Sequence, residues 1–134
     1  MDFLALRAEG RPGTTPGSVD YRLARRRAIR GLRSGDTDVG EFCDAQGELL
    51  RVATSCSEPA GEPCPVCGED ELGLVRFVFG PRLPKSGRCV TSKGELRRLA
   101  DRSGDHRCYV VEVCTACRWN HLLSSYLLAA EQSA

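Results

Sequence analysis

Two cysteine pairs, each with two residues between the thiols, carry the clearest chemistry in this 134-residue chain. Cys64 and Cys67 stand in the run Cys-Pro-Val-Cys-Gly, and Cys114 and Cys117 stand in Cys-Thr-Ala-Cys. At this spacing a tight turn directs both sulfurs to one point. Two such turns supply the tetrahedral thiolate set that structural zinc prefers, and less often a single iron ion. We therefore predict one structural zinc ion per chain, held by these four cysteines.

Two other uses of cysteine pairs fit the sequence less well. A redox dithiol of the thioredoxin type lies at a strand-to-helix turn, whereas Cys114 follows the strand-like run Cys-Tyr-Val-Val-Glu-Val. A disulfide framework is typical of secreted chains, but residues 1–10 hold too short an apolar stretch for a signal peptide. No segment is apolar for long enough to span a membrane. We therefore expect a cytoplasmic protein with reduced thiols, and keep a thiol redox or metal-responsive switch as a less favoured hypothesis.

The remaining cysteines lack paired spacing. They are Cys43, Cys56, Cys89 and Cys108. We expect Cys43 and Cys56 to pack as small apolar side chains and Cys89 to lie in an exposed loop, and the sequence does not fix the role of any of the four.

Charge divides the chain into three unequal parts, although the formal net charge is only +1. Residues 1–35 carry +5, residues 36–71 carry −9 and residues 72–134 carry +5. Binding to a polyanion must therefore depend on a local patch rather than on the total charge.

The N-terminal part is predicted to be helical. Residues 1–17, rich in glycine and proline, are expected to form a tail, and a helix should run from Ser18 to a stop at Ser34-Gly35. Two short helices follow, through Val39 to Cys43 and over residues 48–56. The predicted first helix has an arginine face that includes Arg22, Arg26, Arg30 and Arg33, while Arg25 falls on its apolar side.

The C-terminal part reads as strands with a helical insertion. Residues 72–79 alternate between apolar and mixed positions, and residues 108–113 and 119–128 form two further predicted strands. Residues 80–91 are expected to form a basic loop. Ser92 and Glu95 match a capping box that opens a helix exposing Arg97 and Arg98.

Trp119 and His121 follow the second cysteine pair. Trp119 can pack over the metal site or stack on a base or a partner from the rim. His121 is expected to form a hydrogen bond rather than to bind the metal, because four thiolates already complete a tetrahedron. No catalytic residue set and no phosphate-binding glycine loop is evident, so we expect no enzyme activity and no small-molecule substrate.

Several blocks of the chain resemble a small actinobacterial family of unknown function, over roughly residues 18–128. The most specific blocks are Tyr-Val-Val-Glu-Val-Cys at 109–114 and Cys-Arg-Trp-Asn-His-Leu at 117–122. The resemblance implies a cytosolic protein with a short helical N-terminus and a zinc-ribbon-like C-terminus. It implies no assigned activity and no catalytic residues.

These observations predict an α+β protein in which a lobe of short helices (18–57) and a linker (58–63) precede a zinc ribbon with a helical insertion (64–130). We expect a binding module that docks on nucleic acid or on a nucleic-acid machine such as RNA polymerase or the ribosome. Its contacts would come from the arginines at 22, 26, 30, 33, 97 and 98 and from Trp119. The alternative is a protein–protein adaptor that presents the acidic segment 36–71. The choice among DNA, RNA and protein, and the oligomeric state, stay open.

Overall fold

The protein, described here from a computed structural model over residues 11–12, 18–69 and 71–128, combines a seven-stranded sheet with three helices. The strands are β1 (Arg11–Pro12), β2 (Val19–Asp20), β3 (Glu58–Pro63), β4 (Glu71–Phe79), β5 (Arg88–Val90), β6 (Arg107–Val113) and β7 (Asn120–Leu127). The helices are α1 (Arg22–Ser34), α2 (Gly47–Ser55) and α3 (Lys93–Ala100), and a 3₁₀ turn covers Val39–Glu41. The predicted α+β class is confirmed.

All strand pairs are antiparallel, in the order β1-β2-β7-β6-β4-β3. Strand β4 pairs with β6 along one edge, and its other edge is shared by β3 and β5. On that shared edge Glu58 of β3 lies opposite Leu74, and Val90 of β5 lies opposite Arg76. The two short strands therefore meet end to end near the middle of β4.

Alternation along β4 and β6 gives the sheet two apolar faces. Val75 lies opposite Val111 and Phe77 opposite Tyr109, and these side chains pack in one cluster with Leu49 and other residues of α2. Successive side chains of a strand point to opposite faces. Leu72, Leu74 and Val78 of β4 therefore lie on the second face of the sheet, in two other apolar clusters.

The second face is covered by different elements at its two ends. At the end near the cysteine turns, Leu72 packs in one cluster with Ala28 of α1. At the other end, Val78 packs with Val90 of β5 and Leu99 of α3. The helical insertion between the cysteine pairs is therefore part of the core and closes one end of the sheet.

The N-terminal part departs from the predicted helical lobe. Val19 and Asp20 form a strand beside β7 instead of the first helical turn, and the helix begins at Arg22, whose N–H donates to the Asp20 carboxylate. Leu32 of α1 and Leu49 of α2 belong to separate clusters. Both helices dock on the sheet, α1 against β7 and α2 against β4.

The predicted linker is also part of the sheet. Residues 58–63 form β3, which pairs with β4 despite its glycine and prolines, as an edge strand can. The segment predicted as a helix through Val39 to Cys43 contains only the 3₁₀ turn. Of the predicted tail, only Arg11–Pro12 falls within the described residues, as β1.

Other elements follow the prediction closely. Helix α1 ends at Ser34 with Gly35 at a φ of 83°, α2 covers nearly the predicted range, and Ser92 caps α3 by accepting from the N–H of Glu95 at 3.1 Å. Three residues of the predicted basic loop form β5. Within the described ranges no helix combines the length and apolar character that a membrane span requires.

Candidate metal centre and arginine groove

The four paired cysteines come together at one end of the sheet. Their four Sγ atoms all lie within 4.8 Å of one another; the residues are Cys64, Cys67, Cys114 and Cys117. The Cys64 and Cys117 sulfurs are 3.6 Å apart, and those of Cys67 and Cys114 are 3.7 Å apart. Zinc bonded tetrahedrally at about 2.3 Å places its sulfurs about 3.8 Å apart. The four thiols therefore fit a metal ion of this type.

Both cysteine turns have the same backbone construction. The N–H of Gly68 donates to the carbonyl of Cys64, and the N–H of Arg118 donates to the carbonyl of Cys114, each at 3.0 Å. The residue after each second cysteine has a left-handed backbone, with a φ of 68° at Gly68 and 71° at Arg118. The first turn fills this position with glycine, whereas the second accepts arginine there.

Burial shapes the proton affinity of the thiols. It raises the pKa of the Cys114 and Cys117 thiols above the ordinary cysteine range. Without a metal, the buried sulfurs therefore favour the protonated form. A bound cation favours the thiolate form instead, because a metal ion takes thiolates as ligands.

The second cysteine turn is fastened by the segment that precedes α2. The N–H of Ala45 donates to the carbonyl of Arg118 at 3.1 Å, and the N–H of Asn120 donates to the carbonyl of Phe42 at 3.2 Å. The Asn120 amide adds a 3.0 Å bond to the Asp44 carboxylate. Asn120 is itself buried. This double connection holds the metal end of β7 against residues 42–45.

A buried carboxylate links the second turn to α1. Glu112 is 1 % exposed and accepts from the Trp119 indole N–H and from Arg25 Nε, both at 2.7 Å. Arg25 also pairs with Glu62 at 3.2 Å. Burial raises the pKa of Glu112, while the bonds from Arg25 and Trp119 oppose that rise. We did not predict this link, although the sequence held two signals for it: Arg25 falls on the apolar side of the predicted helix, and Glu112 interrupts the apolar run 109–113.

Trp119 and His121 lie inside the protein. Trp119 is 0 % exposed, so it does not stand on the rim, and its ring is unavailable for stacking on a base. The rings of Phe42, Trp119 and His121 lie within about 6 Å of one another. The His121 Nδ1 is 2.8 Å from the carbonyl of Leu122, and His121 is not part of the four-sulfur cluster.

A fifth thiol borders the cluster. Cys43 donates an S–H bond to the Cys117 sulfur at 4.0 Å, and burial raises the pKa of the Cys43 thiol. Of the other cysteines, Cys108 is buried as a core side chain, whereas Cys56 and Cys89 are joined as a disulfide with their Cα atoms 6.7 Å apart. This pairing corrects the expectation that Cys56 packs as a small apolar side chain, and Cys89 lies half-buried in β5 rather than in an exposed loop.

An arginine-rich groove lies beside the first cysteine turn. It has a volume of about 750 Å³, and α1 forms one wall and residues 62–68 the other. Its arginines are Arg25, Arg26, Arg30 and Arg33. The last three are exposed, and none of them takes part in an ion pair among the described residues. Three of the four arginines predicted on this helix thus share one groove.

The other predicted contact arginines lie elsewhere. Arg22 lines a neighbouring cavity of about 380 Å³ that reaches Glu112. Arg97 and Arg98 are exposed on α3, which packs around Val78, whereas α1 packs around Leu72. Six residues of strand separate those positions, or about 20 Å. The basic residues predicted from the sequence therefore form two separate surfaces.

The protein belongs to a family of unknown function (DUF5318), whose model matches residues 14–134. It is 41% identical over 116 residues to Uncharacterized protein Mb0050 of Mycobacterium bovis and to Uncharacterized protein Rv0049 of Mycobacterium tuberculosis. Each match covers 87% of this chain and 85% of the relative. No solved structure matches the chain. The resemblance to an uncharacterised actinobacterial family is therefore confirmed.

Proposed function

We propose that this protein is a non-enzymatic binding module, stabilised by one structural zinc ion, that docks on nucleic acid through the groove beside its first cysteine turn. The carrying observation is that Arg25, Arg26, Arg30 and Arg33 line one groove with that turn. A nucleic-acid machine such as RNA polymerase or the ribosome would present the same phosphate chemistry to this groove.

The ligand set favours a structural metal over a catalytic one. Four cysteine sulfurs satisfy a tetrahedral zinc ion completely and leave no position for water or substrate. The centre also joins two parts of the chain that lie 47 residues apart, from Cys67 to Cys114. A zinc ion at this place would hold the groove wall formed by the first turn rigidly against the sheet.

The groove suits phosphate groups because of its free guanidinium groups. Arg26, Arg30 and Arg33 follow a helical spacing of four and three residues, so they project from one stripe over about 10 Å of helix. Guanidinium groups bind phosphate oxygens in a bidentate manner. Within the groove, Glu62 already binds Arg25, which leaves three cationic groups for a ligand.

The described contacts favour this surface over the adaptor hypothesis based on the acidic segment. Glu58 and Glu62 are bound to Arg76 and Arg25 within the protein. These two carboxylates are therefore less available to a basic partner than the three groove arginines are to an anionic one.

The test is binding of fluorescently labelled single-stranded and duplex oligonucleotides to the zinc-loaded protein, followed by anisotropy at several salt concentrations. We expect the triple variant Arg26→Gln, Arg30→Gln, Arg33→Gln to bind at least tenfold more weakly at low salt. The slope of log K against log salt should become less negative by about two to three, because the variant releases fewer counterions when it binds.

Arg27→Gln is the matched control, because Arg27 is exposed on the same helix but does not line the groove. Arg97→Gln with Arg98→Gln tests the second basic surface. Equal binding by wild type and the triple variant would overturn the proposal. The zinc content of each variant is measured alongside, because weaker binding reports on the arginines only where the first cysteine turn, which forms the other groove wall, keeps its metal.

A further inference from the structure

We propose that Cys56 and Cys89 form a reversible thiol–disulfide exchange site, separate from the metal centre, that fastens the outer edge of β4. The inference does not depend on the proposed nucleic-acid function. It starts from the position of the pair, which joins the end of α2 to β5 across 33 residues of sequence.

The pair lies where two edge strands abut. Strand β3 covers β4 as far as Leu74, and β5 covers it from Arg76 onward. Cys56 lies two residues before the start of β3, while Cys89 is in β5 and lies opposite Phe77 of β4. A disulfide between them therefore links the segment that leads into β3 to β5. This link spans the place where the pairing of β3 with β4 stops and that of β5 with β4 begins.

The backbone geometry suits both oxidation states. The Cα separation of 6.7 Å lies within the range that disulfides span. The Cys89 sulfur is also 3.1 Å from the carbonyl of Cys56, which a reduced thiol can use as a hydrogen-bond acceptor. Both residues are half-buried, so a small thiol reagent can reach them. Neither oxidation state therefore requires the chain to be rebuilt.

The pair is separated from the zinc ligands along the sheet. Cys64 directly follows Pro63, which lies opposite Glu71, whereas Cys89 lies opposite Phe77. Six residues of β4 separate these positions, or about 20 Å. Exchange at Cys56 and Cys89 can therefore proceed while the four ligands stay on the metal.

The reaction partner is a low-molecular-weight disulfide. The Cys56 and Cys89 thiols lose two protons and two electrons and form one S–S bond. The small disulfide accepts both, its S–S bond breaks, and two small thiols are released. Excess small thiol drives the exchange in the opposite direction.

The experiment uses the full-length, zinc-loaded protein incubated with glutathione disulfide or with reduced glutathione, alkylated, digested with trypsin and analysed by mass spectrometry. Tandem spectra are needed because the tryptic peptide that holds Cys56 also holds Cys64 and Cys67. We expect a Cys56–Cys89 link only in the oxidised sample, its loss on return to reduced glutathione, and an unchanged zinc content.

Variants and stability complete the test. Cys89→Ser should abolish the link, whereas Cys108→Ser, which alters a buried cysteine outside both clusters of thiols, should retain it. In urea the wild type should lose on the order of a hundredfold in its folding equilibrium constant when reduced, since closing a loop of this length restricts the unfolded chain. Cys89→Ser should show no such redox dependence.

Hydrogen exchange of the wild type covers the case in which a variant does not fold. Reduction should speed amide exchange at Cys89 and Val90 at least tenfold and leave the β6–β7 ladder unchanged. A link to Cys64 or Cys67, loss of zinc at the same glutathione disulfide concentration, or equal urea stability of oxidised and reduced protein would each overturn the proposal.

Discussion

In both cysteine turns the first sulfur is buried, the second is half-buried, and the next residue has a positive φ. Their surroundings differ. The first turn is followed by the exposed Glu69 and forms a wall of the arginine groove. The second is followed by the fully buried Trp119 and by Asn120, which is bonded to residues 42–45. Equal ligand geometry thus serves two purposes: the second turn is an anchor, and the first is a surface.

Loss of one cysteine ligand should affect the anchoring turn and the surface turn alike, because the tetrahedral metal site needs sulfurs from both. We expect Cys67→Ser and Cys117→Ser each to lower the zinc content from one ion per chain to nearly none and to unfold the metal end of the sheet. Elemental analysis with circular dichroism measures this. Cys108→Ser, at a buried cysteine outside the cluster, should keep the metal. A folded, zinc-loaded Cys67→Ser protein would refute the shared centre.

Alanine substitution of the residue two positions after the second cysteine of each turn should show which turn is the anchor. Trp119→Ala removes a fully buried ring and should lower the free energy of unfolding by about 3–5 kcal/mol. Glu69→Ala, at the equivalent exposed position, should change it by less than about 0.5 kcal/mol. Urea denaturation of both zinc-loaded variants tests the contrast, and similar losses would show that the two turns are equally embedded.

The Asn120 side chain offers a smaller test of the same anchor. Its amide donates to the Asp44 carboxylate at 3.0 Å and lies 3.2 Å from the carbonyl of Arg118. Asn120→Ala should cost about 1–3 kcal/mol of unfolding free energy, because these acceptors lose a buried partner. Hydrogen exchange should become faster at Ala45. Protection there equal to that of the wild type would mean that the backbone bonds alone hold the segment.

The two positive-φ positions allow the smallest test. Gly68→Ala should destabilise the protein by about 1 kcal/mol, because a Cβ disfavours the left-handed backbone. Arg118→Gly should have the opposite sign, with a gain of up to about 1 kcal/mol from relief of the same strain. Thermal melts at saturating zinc measure both. Stabilisation by Gly68→Ala would show that its backbone is not constrained as described.

Local signals in the sequence were sufficient for several features. The spacing of Cys64, Cys67, Cys114 and Cys117 identified the four cysteines that come together as a candidate metal site, because each pair closes within one tight turn. Gly35 and the Ser92 capping box marked helix ends, since caps act within one turn. Alternation identified β4, and the strand-like run at 108–113 identified β6.

Contacts between distant segments were not accessible in this way. The run 58–63 has the composition of a linker, yet it forms a strand because the free edge of β4 provides a partner. The association of Cys56 with Cys89 depends on where β3 and β5 meet along that edge. Nothing near either cysteine in the sequence indicates the other.

The sequence by itself therefore determined the α+β class, the family and the four candidate metal ligands. The class and the family depend on patterns among residues that are close in the chain. The four candidate ligands form two local motifs that a single metal ion can join. Only the tertiary structure decided which arginines share a groove, that Trp119 and Glu112 are buried together, and that β3 completes the sheet. These features arise because side chains from separate segments compete for the same faces and edges of one sheet, and that competition is settled only when the chain packs.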